Sequence, residues 1–97
     1  MKHKMFTIQD AAADAYLTPF FLHREAMAKR QFADCINDNR HQFGKHPAHY
    51  TLVLIGEFDD TNGEIKKYTT VKPLGNGINY IVNESDPDQL NLLKDVE

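Results

Sequence analysis

His41, His46 and His49 fall in one short stretch, and three histidines are enough to hold zinc. Helical metal sites place their ligands three or four apart on one face. Gly44 and Pro47 break any helix here, so solvated loop histidines are the expectation and no metal site is assigned. Glu57, Asp59 and Asp60 are carboxylates of the kind a metal-dependent nuclease needs. They flank an Asn62-Gly63 pair, where acids commonly serve the turn itself. Cys35 sits on an apolar helical stripe, where a thiol behaves as a small hydrophobe, and no phosphate-cradling glycine loop is present. No catalytic residue and no cofactor are expected, and the chain reads as a non-enzyme.

Recognition of a polyanion is the chemistry that remains. It needs cations for phosphates and flat rings for bases. Arg24, Lys29, Arg30, Arg40 and Lys45 cluster in the middle of the chain, and Lys66, Lys67, Tyr68 and Lys72 follow on a later strand. Alternation puts Lys66, Tyr68 and Lys72 on one face, as a groove for a single strand would require. Tyr50 is a second candidate ring, beside His46 and His49, which gain charge as pH falls. The competing reading is an edge strand guarded by lysines against aggregation.

Charge is distributed unevenly. Residues 23–50 carry five Lys and Arg against three acids, together with four of the five histidines, while residues 51–97 carry four Lys against nine acids. The formal net charge is −3. Such asymmetry is a recognised sign of a polyanion partner, with the acidic tail competing for the basic region. One cysteine permits no intrachain disulfide and fits a reducing compartment. Asp10 and Asp14 interrupt the apolar residues of the opening stretch, which reads as neither signal peptide nor membrane span. The expected location is the host cell cytoplasm, with no membrane partner. A chain of 97 residues makes one domain with a thin core, which favours a homo-oligomer.

These residues must be positioned by a small set of elements. Residues 4–9 alternate as a first strand, and Asp10–Leu17 is alanine-rich enough for a helical turn ending before Thr18-Pro19. Phe20-Phe21-Leu22 is expected to plug the core, with one ring free for an interface. The main helix is expected from His23 or Arg24 to Asp38, with Ala28, Phe32, Cys35 and Ile36 inward and an Arg30–Asp34 pair outward. Pro47 suits the first position of a short helical turn. Thr51–Phe58 is apolar on both faces, as in a central strand. Asn62-Gly63 predicts a tight hairpin with positive φ at both residues, returning over Glu64–Lys72 and ending at Pro73. A turn at Gly75-Asn76-Gly77 and a strand over Ile78–Val82 follow. Asp86-Pro87-Asp88-Gln89 predicts a helix start, placing Leu90, Leu93 and Val96 on one stripe. Together with Phe20 and Phe21, that stripe forms the candidate interface. The order β-α-β-β-β predicts an α+β fold: about four antiparallel strands, one main helix packed on them, a body over residues 1–83 and an acidic helix or tail over 84–97.

Three stretches, "KMFTIQD", "LTPFFLHREAMAKRQFADCIND" and "KHPAHYTLVLIGEFDDTNGEI", resemble the small nonstructural protein of gokushoviruses and related microviruses, which are single-stranded DNA phages. Pro19-Phe20-Phe21, Ala28, Arg30, Phe32-Ala33-Asp34, His46-Pro47, Tyr50-Thr51-Leu52, Gly56-Glu57-Phe58-Asp59 and Gly63 carry the likeness, over roughly residues 4–65. It implies DNA binding, single-stranded DNA being favoured, and a role in viral genome replication or in the switch to single-strand synthesis and packaging. Viral replication or packaging proteins would be further partners. The alternative is a protein–protein module acting on that machinery without touching DNA.

Overall fold

The computed structural model describes residues 1–82. Strand β1 (Lys2–Asp10) and strand β4 (Tyr50–Asp59) form its antiparallel centre, and their register runs from Lys2 opposite Asp59 to Asp10 opposite Tyr50. Strand β5 (Glu64–Asn76) lies outside β4. Two short strands share the outer edge of β1: β2 (Ala15–Tyr16) pairs with Gln9 and Asp10, and β3 (Phe20–Leu22) pairs with Lys4 to Phe6. Helix α1 (Glu25–Ile36) packs on one face, followed by a short helix α2 (Gln42–Lys45) and a 3-10 turn over Pro47–His49. This is the α+β architecture predicted from the residue pattern.

The strand period of two sorts the side chains. Phe6 and Ile8 of β1, with Leu52 and Leu54 of β4, meet Ala28, Phe32 and Ile36 of α1. Phe6 and Leu52 are completely buried. Phe43 and Tyr50 close the core below them, with ring centroids 4.4 Å apart. The opposite face carries Met5, Thr7 and Val53, and no helix among the described residues packs on it.

Register irregularities curl the sheet, one in the β1–β4 ladder at Met5/Phe6 and two in the β4–β5 ladder, at Leu52/Val53 and Leu54/Gly56. The β4–β5 register skips Ile55 on one strand and residues 68–71 on the other, since Gly56 faces Lys67 and Leu54 faces Lys72. Unequal counts across a ladder bend it and increase its twist. At Gly56 a side chain would collide with the backbone carbonyl of Lys66, so close approach of the two strands requires glycine.

Several expectations are corrected. Asp10–Leu17 is not helical: a stretch this short cannot nucleate a helix alone, and Asp10 Oδ1 instead accepts the Ala12 and Ala13 amides at 3.0 and 3.2 Å, turning the chain into β2. Phe20–Leu22 is a strand, and Phe20 and Leu22 pack against the core as expected, leaving one ring free. Phe20 stacks on Phe6 at 5.7 Å, while Phe21 points to the other face at 43% exposure. Helix α1 stops two residues before the predicted end, because the Asn37 side chain turns to bond Ala33 and Tyr80 carbonyls and the Val82 amide. The hairpin loop spans residues 60–63, and of Asn62 and Gly63 only the glycine has positive φ. Pro73 does not end β5: on the outermost strand a missing N–H leaves no ladder bond unmade. Residues 77–80 form a 3-10 turn, not part of a strand, held by the Tyr80 hydroxyl donating to the Leu74 carbonyl at 2.7 Å. The predicted C-terminal helix, with Leu90, Leu93 and Val96, lies outside the described residues.

Candidate nucleic-acid interface

Three elements bring lysines to one carboxylate. Glu25 opens α1, where a negative charge complements the helix dipole. Lys72 of β5 donates to Glu25 Oε1 at 2.9 Å. The charges of Lys4 on β1 and Lys29 on α1 also act on it. Together they hold its carboxyl below the usual glutamate range, the Lys72 hydrogen bond contributing most. One negative charge thus faces three positive ones, and Arg24 adjoins them at the helix cap, with no side-chain capping bond.

A second carboxylate repeats the pattern one step along the sheet. Glu57 lies between Lys4 and Lys66 in the strand register, with Lys2 Nζ 3.8 Å away. The Tyr68 hydroxyl donates to Glu57 Oε2 at 3.4 Å. Desolvation first, then the negative charges of Glu57 and Glu25, make that hydroxyl harder to ionise. The helix-side face beyond α1 therefore presents Lys2, Lys4, Lys29, Lys66 and Lys72 among four carboxylates, Glu25, Glu57, Asp59 and Glu64.

The lowered pKa of Glu25 has a consequence for stability against pH. Its contribution to stability is present above the unfolded glutamate value and is lost as pH falls through the lower folded value. Lys72→Ala is expected to move the Glu25 carboxyl titration, followed by NMR, back up toward the ordinary range. An unmoved titration would remove Lys72 as the main cause.

The other predicted residues are placed as follows. Lys29 and Arg30 are exposed on α1, and no ion pair joins Arg30 to Asp34, as an exposed pair offers little to hold two long side chains together. Arg40 pairs with Asp38 at 3.2 Å, past the far end of α1, and Lys45 is exposed at the end of α2. Tyr50 is 6% exposed in the core and presents no free face to a base. Lys66, Tyr68 and Lys72 do share a face, but Tyr68 is half-buried against the core and Lys67 points to the other side of the sheet. The predicted cations therefore do not form one track. The gathered group includes Lys2 and Lys4, which the charge count of the middle segment overlooked. Their alternation with His3 and Met5 on β1 was the available signal.

The histidines serve local structure. His41 Nδ1 accepts the Phe43 amide at 3.0 Å and caps α2, and the His46 and His49 rings stack at 5.2 Å. Among the described residues no group of three His, Cys, Asp or Glu side chains is placed to hold a metal, and no helix is long and apolar enough to cross a membrane. Burial first, then the charges of Asp34 and Asp38, push the Cys35 thiol up, away from the thiolate form.

No curated protein and no solved structure matches the chain. A family model described as Phage ORF5 protein matches residues 3–80. That match spans most of the sequence and nearly every described element, so the chain belongs to the Phage ORF5 protein family, a family of bacteriophage proteins.

Proposed function

We propose that this phage protein is a non-enzymatic DNA-binding protein that contacts single-stranded DNA through the lysines around Glu25 and Glu57. The convergence of Lys4, Lys29 and Lys72 on Glu25 carries the reading. Lys72 is ion-paired with Glu25, whereas Lys4 and Lys29 make no ion pair among the described residues, which supports their availability to phosphates. The resemblance to the microvirus nonstructural protein supports a role in viral genome replication, or in the switch to single-strand synthesis and packaging, with the host cytoplasm as the corresponding location. Copies would associate, with one another or with replication and packaging proteins, through exposed apolar side chains such as Phe21 and Ile65. Those side chains also motivate the second reading, a protein–protein module that leaves DNA alone.

Fluorescence anisotropy with labelled single-stranded and duplex oligonucleotides separates the two. Contact with about four phosphates lowers single-strand affinity about 50-fold between about 50 and about 200 mM salt. A response that does not change with salt rules out phosphate contact. Absence of binding at the lower salt favours the protein–protein module.

A further inference from the structure

We propose that a cleft on the helix-free face of the sheet holds one unstacked base of single-stranded DNA, with Tyr16 as the stacking ring and Lys67 as the phosphate contact. This rests on the reading of the lysine cluster as a DNA interface and extends it to the opposite face.

The cleft has a volume of about 230 Å³, and its apolar walls are Leu17, Pro19, Ile55 and Val71. That is below the roughly 300–1,000 Å³ of a drug-sized pocket and suits one heterocycle better than a base pair. Tyr16 stands at its rim, 60% exposed, on the two-residue strand β2. The backbone beside it is fixed: the Leu17 amide donates to the Ile8 carbonyl at 2.9 Å, and the buried Thr7 hydroxyl donates to the Leu17 carbonyl at 2.7 Å. An exposed ring on an anchored strand loses little freedom when a base stacks on it.

Charge selects the occupant. Among the described residues, Lys67 is the sole charged residue lining this cleft, and it makes no ion pair. The cleft on the helix side, by contrast, is polar and of mixed charge, lined by Lys2 and Lys66 together with Glu57, Asp59 and Glu64. An apolar slot with a ring and one unopposed cation fits a nucleotide, whose base is flat and whose phosphate is negative. Lys66 and Lys67 are consecutive on the outermost strand and point to opposite faces. A flexible single strand crossing that edge meets Lys66 on the lysine-cluster side and Lys67 on the cleft side. A duplex is too stiff to follow this turn.

The test is anisotropy on the full chain with Tyr16→Ala, Tyr16→Phe and Lys67→Ala, using a labelled oligonucleotide single-stranded and as duplex. Loss of one base stack weakens single-strand binding roughly 5- to 150-fold in Tyr16→Ala. Duplex binding stays unchanged, and Tyr16→Phe retains wild-type affinity. Lys67→Ala lowers the single-strand salt slope by about 0.7. Thermal melts confirm that each variant folds, and a 2-aminopurine oligonucleotide bound by the wild-type protein reports stacking directly through quenched fluorescence. Equal losses on both substrates, no loss in Tyr16→Ala, or unquenched 2-aminopurine would overturn the cleft while leaving the lysine-cluster reading intact. A wild-type chain that binds no DNA overturns both.

Discussion

Phe6→Ala is expected to destabilise the fold by about 3–5 kcal/mol. Phe6 is fully buried, stacks on Phe20 at 5.7 Å and lies across the ladder from Leu54. Its removal loses the transfer energy of the ring and leaves a cavity where α1, β3 and the central strands meet, a place with no side chain free to collapse inward. A domain of this size has about 5–15 kcal/mol in total, so the variant loses a large share of its stability. Urea unfolding should show a much lower midpoint, or an unfolded chain before denaturant is added. Phe21→Ala is the contrast, because the neighbouring residue is 43% exposed and faces the other way. A Phe6 variant as stable as the Phe21 variant would mean that the core is not built on this face.

Reversal of two lysines, Lys4→Glu with Lys72→Glu, should lower single-stranded DNA affinity by about 100-fold. In the proposed interface each change removes a phosphate contact and adds a repulsion, and Glu25 loses its main partner, Lys72. Stability should suffer little, because the Lys72–Glu25 pair is exposed on its lysine side and such pairs are worth about 0–1 kcal/mol. Arg40→Glu should leave affinity nearly unchanged, since Arg40 lies past the far end of α1 and already pairs with Asp38. Anisotropy at a single low salt concentration ranks the three proteins. Arg40→Glu weaker than the double variant would move the interface to the other end of the helix.

Much of the fold was legible in the residues because its signals are local. Apolar β4 announced a central strand, the Ala28–Phe32–Ile36 spacing announced the buried side of α1, and alternation placed Lys66, Tyr68 and Lys72 together. Where a local pattern misleads, a distant partner outweighs it. Ile78–Val82 looks like a strand, but the Tyr80 hydroxyl and the Asn37 side chain draw that segment into a turn. Tyr50 looks like a rim aromatic, yet its register opposite Asp10 turns the ring onto Phe43. The candidate interface depends most on pairing across the sheet. Lys4 and Lys72 are far apart in the chain, and their meeting at Glu25 follows from the strand order, which no local pattern encodes.

That strand order also bears on how the protein is made. β1 is translated early, but its ladder partner is β4, and Lys2 must wait for Asp59. While the ribosome is still adding the intervening residues, Phe6 and Ile8 have no central strand to pair with. The β4–β5 hairpin closes over a short loop, whereas β1 must close a loop over residues 11–49, nearly half of the described chain, the slower step by contact order. A nascent chain cut short before residue 50 therefore contains α1 and β1 but lacks the strand that joins them into a core.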